Sequence, residues 1–218
     1  IETGRGKTGI GQRIEEALHA SADLCVLEGA DVARVDAVLR DWGLPHGSFG
    51  ARDLIGLARP RRKGTAPGLS ALVAEQGRVG HGAGSGFYTY RNRGRKGMVD
   101  ETVTALIMAE RQRLNITAKP MADKVIRARC LAAMAGAGAE LLDEEIAGRP
   151  ADIDMVAIHG LGFARRTGGV MFAADVLGLE QVKALLQEMS ATDARIPAPG
   201  SIFDVLIDAK KGFSSLND

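Results

Sequence analysis

Apolar positions along the chain recur at intervals of three and four almost everywhere. Ile14, Ala17, Leu18 and Cys25 share one face of a segment running from Arg13 to Glu28, and Gly29 stops it. Asp31 then stands where a capping residue belongs, ahead of Val32, Val35, Val38, Leu39 and Trp42, with Gly43 and Pro45 ending the pattern. Leu69 to Gln76 predicts a further helix closed by Gly77, and Asp100 predicts the cap of a helix carrying Val103, Leu106, Ile107 and Leu114. The stretch from Ala122 to Glu145 is helical by length and pattern. Val182, Leu185, Leu186 and Met189 keep helical spacing, and Ser201 to Lys211 begins on a serine cap and ends before Gly212. Strand-like alternation occurs at Gly86 to Tyr90. The expected fold is therefore all-α, with one short β element near residues 86–90.

Inside the long helix, "AAMAGAGAELL" carries Gly136 and Gly138, each costing about 1 kcal/mol relative to alanine in a helix interior. Small residues repay that cost where a second helix approaches closely, so Ala132 to Ala139 predicts a packing face. An internal repeat gives the architecture. Residues 34–57 and 152–179 share an apolar-Asp start, a glycine-rich middle and the endings Asp53-Leu-Ile-Gly-Leu57 and Asp175-Val-Leu-Gly-Leu179. Two such copies predict two tandem, pseudo-symmetric helical domains, placed at 1–98 and 99–218.

The segment "GRVGHGAGSGFYTY", residues 77–90, raises the question of a phosphate-binding loop. A dinucleotide fingerprint needs G-x-G-x-x-G between a strand and a helix. Here the glycines run at spacing two, Ser85 falls on the third fingerprint position, and a helix precedes while a strand follows. The segment predicts a turn-rich connector, with Phe87, Tyr88 and Tyr90 as packing residues.

Composition changes this picture little. Hydrophobic residues at 45% and charged ones at 25% are ordinary for a globular chain, and the net charge of +1 selects no partner. The charge is uneven, however: Ala58 to Gly97 holds Arg59, Arg61, Arg62, Lys63, Arg78, Arg91, Arg93, Arg95 and Lys96 against the single acid Glu75. Such a patch meets nucleic acid or cofactor phosphates in some proteins and is a solvated loop in more. Aromatic platforms interleaved with these basic residues are lacking, which weakens a nucleic-acid reading. Cys25 and Cys130 lie in apolar helical surroundings without C-x-x-C spacing, as expected for reduced thiols in a cytoplasmic setting. His19, His46, His81 and His159 show no metal-ligand spacing, so no metal is expected, and no apolar run is long enough to span a membrane. The chain starts at Ile1 without a signal-peptide pattern, as a piece of something longer would.

Three motifs, in order, carry a resemblance. "GFARRTGGVMFAADVLGL" is similar to a stretch near the end of the multifunctional fatty-acid β-oxidation proteins, which join enoyl-CoA hydratase to L-3-hydroxyacyl-CoA dehydrogenase. "GLPHGSFGARDLIGL" resembles a stretch in the first C-terminal domain of those dehydrogenases, and "GRVGHGAGSGFYTY" resembles their glycine-aromatic element. The resemblance implies two all-α C-terminal domains that follow a nucleotide-binding domain. It also implies that NAD and the catalytic His/Glu pair belong to that Rossmann domain. No catalytic, cofactor-binding or metal-binding residue is then expected in this chain, and the fragment alone is expected to be inactive. Implied partners are the acyl-CoA substrate, the parent's own Rossmann domain, an enoyl-CoA hydratase domain as a further candidate, and a homo-oligomer. No nucleic acid is expected.

Gln12 stands where the family carries the asparagine near the substrate carbonyl, and so is the expected substrate-binding residue. Several other positions depart from the pattern: Ala20-Ser21 and Gly136-Ala137 replace Asn-Glu pairs, Gly82 replaces a lysine, and Ser48 replaces a proline. The basic segment Arg59 to Lys63 is a candidate for attracting CoA phosphates. The competing expectation is a non-catalytic helical assembly or dimerisation module.

Overall fold

The computed structural model of the chain describes residues 9–58, 67–91, 94 and 97–217. Ten α-helices are present among them: α1 (Ile10–Leu27), α2 (Val32–Trp42), α3 (Ser48–Ile55), α4 (Leu69–Glu75), α5 (Glu101–Arg113), α6 (Asp123–Asp143), α7 (Pro150–Gly160), α8 (Val170–Leu177), α9 (Leu179–Thr192) and α10 (Ser201–Asp208). Two short strands, β1 (Tyr88–Thr89) and β2 (Met98–Val99), pair antiparallel with Tyr88 opposite Val99. The fold is all-α with tandem helical regions and a small two-stranded element. The alternation at 86–90 pointed to β1; two-residue β2 has no apolar alternation of its own to announce it.

The chain groups into two compact units that interleave in sequence. One holds the described residues of Ile1–Ser21, Trp42–Pro45 and Lys124–Asp218; the other holds Ala22–Asp41 and the described residues of His46–Asp123. They are called here the Asp154 unit and the Asp36 unit.

In the Asp154 unit, α6 is buried nearly all round, as a helix crossing a core must be. Its small residues admit neighbours: a Cβ on Gly136 would come 2.8 Å from Leu186 Cδ2 of α9, and one on Gly138 would collide with Met171 of α8. The glycine-alanine run is a packing face, as expected. Trp42 meets Phe163 edge to face at 4.7 Å, and Phe203 meets Phe213 at 5.4 Å. Helix α10 begins at Ser201, but Ser201 is not its cap. Gly200 takes the cap position with extended backbone and no side-chain bond, because a Cβ there would lie 2.9 Å from Asp143 Oδ2.

In the Asp36 unit, α2 opens directly after Asp31, whose carbonyl accepts the Val35 N–H at 2.9 Å. Asp100 caps α5 by accepting the Thr102 N–H at 2.9 Å. Arg111 of α5 donates to the carbonyls of Leu27 and Val26, satisfying the open C-terminal end of α1. Phe87, Tyr88 and Tyr90 are all buried, and Phe87 stacks edge to face on Phe49 at 4.8 Å.

Candidate functional site

The first two turns of α1 hold the substrate residue expected from sequence. Ile14, Ala17 and Leu18 turn inward and leave Gln12 and Glu16 exposed, four residues and one turn apart. Gln12 Nε2 donates to Glu16 Oε1 at 2.9 Å. Arg13, the next residue along, reaches toward α6. It donates to Glu140 Oε2 at 2.6 Å and to Glu144 at 2.7 and 3.0 Å, binding α1 to α6 within the Asp154 unit. The hydrogen bond to Glu144 raises the Arg13 pKa against its burial, with Glu140 adding in the same direction. One turn further, His19 lies 3.9 Å from Glu15.

The densest polar cluster lies in the Asp36 unit. Asp36, on α2, accepts the N–H groups of Phe49 and Gly50 at the start of α3, each at 2.8 Å, and the Tyr88 hydroxyl at 2.8 Å. Asp53, near the end of α3, accepts the N–H groups of Phe87 at 2.8 Å and Tyr88 at 2.9 Å, and the Tyr90 hydroxyl at 2.9 Å. Burial raises the pKa of both carboxyls, opposed by these hydrogen bonds and by the nearby Arg52 charge. Burial likewise raises Tyr88 and Tyr90, whose hydroxyls give their hydrogens to aspartates. Groups so arranged brace the chain; a tyrosine that holds its proton this firmly offers no base for catalysis.

Beside them, Arg52 is buried between the Phe49 and Phe87 rings, 4.4 and 4.7 Å from their centroids. Its Nη1 donates to Asp23 Oδ1 at 2.8 Å and to Ser70 Oγ at 3.0 Å, its Nε donates to the Ser48 carbonyl, and its Nη2 has no hydrogen-bond partner among the described residues. Asp23 Oδ2 in turn accepts the Leu69 N–H at 3.0 Å, so the pair ties α1, α3 and α4 together.

The same skeleton appears in the Asp154 unit. Asp154 of α7 accepts the N–H groups of Met171 at 2.6 Å and Phe172 at 3.2 Å at the start of α8, and Asp175 of α8 accepts those of Phe213 at 2.7 Å and Ser214 at 2.9 Å. In both copies a glycine precedes the segment seized by the second aspartate. A Cβ on Gly86 would lie 2.5 Å from Asp53 Cγ, and one on Gly212 would lie 2.5 Å from Asp175 Cγ. The polar additions are not shared. Ser214 and Leu216 stand where Tyr88 and Tyr90 do, counting from Phe213 and Phe87, and Ala174 stands where Arg52 does. Burial, with Asp175 adding to it against the backbone N–H groups, pushes Asp154 up to about 6.

Within the Asp36 unit, a cleft of about 420 Å³ is lined by Val32, Phe87, Val99 and Val103, with Asp31 and Asp100 at its polar edge. Arg78 fixes the adjoining glycine segment, donating to the Gly86 carbonyl at 2.8 Å and to Asp100 Oδ2 at 2.9 Å. The tip is a 3-10 turn, His81–Ala83, with Gly82 exposed. Helix α4 precedes this segment and β1 follows it, so the helix N-terminus that a dinucleotide pyrophosphate requires is not placed there. Arg59 to Lys63, proposed for CoA phosphates, lie outside the described residues, as do Arg93, Arg95 and Lys96.

Comparison with known proteins decides the relationship. Residues 10–90, which hold the first copy, match the model of the 3-hydroxyacyl-CoA dehydrogenase C-terminal domain. The chain is homologous to the C-terminal helical domain of the 3-hydroxyacyl-CoA dehydrogenases. Over 82% of its length it is 32% identical to the peroxisomal bifunctional enzyme of Danio rerio. Over 75% of its length it is 31% identical to the fatty acid oxidation complex subunit alpha of Vibrio cholerae. The match spans 28% of the Danio protein and 24% of the Vibrio protein, so the chain corresponds to under a third of either relative. The crystal structure of 3-hydroxybutyryl-CoA dehydrogenase from Escherichia coli K12 superposes with a TM-score of 0.65 at 17% identity, covering 91% of this chain and 59% of that one, and shares the fold.

The repeat in the sequence already displayed Asp36 with Asp53 and Asp154 with Asp175, and Gln12, expected to meet substrate, lies exposed on α1. The sequence pattern missed the pairing of Asp23 with Arg52, 29 residues apart, although Arg52 stands inside the first repeat copy, and it gave no role to Glu16, whose signal was the i, i+4 spacing from Gln12.

Proposed function

We propose that the chain is the helical C-terminal region of an NAD-dependent L-3-hydroxyacyl-CoA dehydrogenase of fatty-acid β-oxidation, facing the acyl-CoA and carrying the pseudo-dimer contact. The observation behind this reading is the match of residues 10–90 to the 3-hydroxyacyl-CoA dehydrogenase C-terminal domain, within a similarity to a peroxisomal bifunctional enzyme over 82% of the chain. In the reaction, L-3-hydroxyacyl-CoA becomes 3-ketoacyl-CoA; NAD, held by the parent's Rossmann domain, accepts the hydride. The hydroxyl proton leaves to a His/Glu base on that same domain. The helical region contributes the far wall of the acyl-CoA cleft, with Gln12 as the residue that meets the substrate. Supporting that role, Gln12 is exposed on a helix that the neighbouring Arg13 ties to α6. The domain boundaries in this reading are 1–98 and 99–218, and the partners are the parent's Rossmann and hydratase domains and a second subunit. A cytoplasmic location is proposed from the two buried thiols, Cys25 and Cys130.

Titration calorimetry of the chain with 3-hydroxybutyryl-CoA and with NADH tests the proposal. Binding of the thioester, weakened by Gln12→Ala, together with no binding of NADH, is the expected result. The assembly reading instead expects neither ligand to bind and a concentration-dependent sedimentation coefficient.

A further inference from the structure

Gln12 does not present its amide freely. A carboxylate can only accept hydrogen bonds, so the end of the Gln12 amide that faces Glu16 must be the nitrogen, as the 2.9 Å bond from Nε2 to Glu16 Oε1 shows. One of the two amide hydrogens is thereby committed, and the oxygen Oε1 is turned away from the helix neighbour. Arg13, anchored by Glu140 and Glu144, fixes the backbone of this turn, so the pair can vary only through its side chains. Glu15 and His19 pair with each other on the next turn, and Glu16 is the partner Gln12 has on this helix.

We propose that Glu16 is a positioning residue that sets Gln12 as an acceptor and thereby biases the site toward 3-hydroxyacyl over 3-ketoacyl thioesters. This rests on the reading of Gln12 as a substrate contact. The 3-hydroxyl of the reduced substrate has a hydrogen to donate to Oε1. The 3-keto oxygen of the product has none, and meets Oε1 as one acceptor meets another. With Glu16 removed, the amide is free to turn its nitrogen outward and serve either ligand. The bias expected from one neutral hydrogen bond is about fivefold in affinity.

The test compares 3-hydroxybutyryl-CoA with acetoacetyl-CoA by calorimetry on the wild-type chain, Glu16→Ala and Gln12→Ala. Both sites are exposed, so the variants should fold, and far-UV circular dichroism checks this. The wild type should prefer the hydroxyacyl thioester by about fivefold, and Glu16→Ala should bring the ratio close to one while still binding both. A structural role for Glu16 would change both affinities together and leave the ratio alone. If the ratio is unchanged in Glu16→Ala but falls in Gln12→Ala, the positioning role is wrong and the substrate contact stands. If neither thioester binds, or Gln12→Ala binds both as the wild type does, the substrate contact fails and the positioning role with it.

Discussion

Replacing Gly86 by alanine should destabilise the Asp36 unit far more than its size suggests. The new methyl carbon would sit 2.5 Å from Asp53 Cγ and 2.8 Å from Oδ2, well inside the 3.4 Å or more of ordinary contact. The obstacle is a buried carboxylate fixed by three hydrogen bonds, so no flexible chain end can swing aside. Either the aspartate or the backbone of Phe87 and Tyr88 must retreat by about an ångström, which breaks the two N–H bonds to Asp53. Hydrogen bonds to a charged acceptor contribute about 1.5–3 kcal/mol each, so the loss should be about 4 kcal/mol. With a urea slope of about 2–3 kcal/mol per molar, the midpoint of the transition reporting this unit should fall by about 1.5 M. Urea unfolding followed by circular dichroism, with hydrogen exchange of residues 80–91 as the local readout, measures it. Gly82→Ala is the matched control: no atom of the described residues lies within 4 Å of its added Cβ, and its stability should stay within about 0.5 kcal/mol of wild type. Should Gly86→Ala prove as mild as Gly82→Ala, the close approach of Asp53 to this backbone is wrong.

Two further outcomes follow from the buried charges. Arg52→Ala should cost about 3–5 kcal/mol because it strands Asp23 in the interior, whereas Asp23→Ala with Arg52→Ala should cost less than Arg52→Ala alone; strict additivity in urea unfolding would refute the coupling. The aspartates predict opposite pH responses. Asp100, held down to about 2 first by the Thr89 hydroxyl and helped by Arg78, adds stability above its unfolded value near 4 that is lost as pH falls through 2. Asp154, pushed up to about 6 by burial, favours the fold while protonated, and that contribution is lost as pH rises from about 4 through 6. Thermal melts of Asp100→Asn and Asp154→Asn across this range should each flatten one arm of the profile, on opposite sides.

The long helices were legible because their apolar stripes run through several turns. Helix α6 could be followed from Ala122, and even its glycines pointed to the close approach of Leu186 and Met171. Helices α3 and α8, of eight residues each, complete barely two turns and lack a readable period. What starts them is remote: Asp36 reaches α3 from thirteen residues upstream, and Asp154 reaches α8 from seventeen. The repeat showed that these aspartates recur, but not that they bind backbone. The ion pair of Asp23 and Arg52 left no trace in the pattern, since a charged residue on a mostly apolar helix face is equally a solvent-facing one until the partner is known.

The comparison of the two copies explains which features of such a domain withstand sequence change. The four aspartate-to-backbone grips use main-chain N–H groups, which every residue but proline supplies, and they ask only for a glycine where the carboxylate comes close. They are therefore indifferent to whether the gripped residues are Phe-Tyr or Phe-Ser, and both copies keep them. The side-chain partners are free to differ once the backbone is held: tyrosines and an ion pair in one unit, Ser214, Leu216 and Ala174 in the other. The same distinction between held and free side chains appears on α1. Arg13, itself largely covered, is held by two partly solvent-exposed glutamates at the end of α6, while Gln12 and Glu16 stand exposed with one bond between them. A change at either exposed residue should leave the helix in place, because the ties from this turn to α6 run through Arg13.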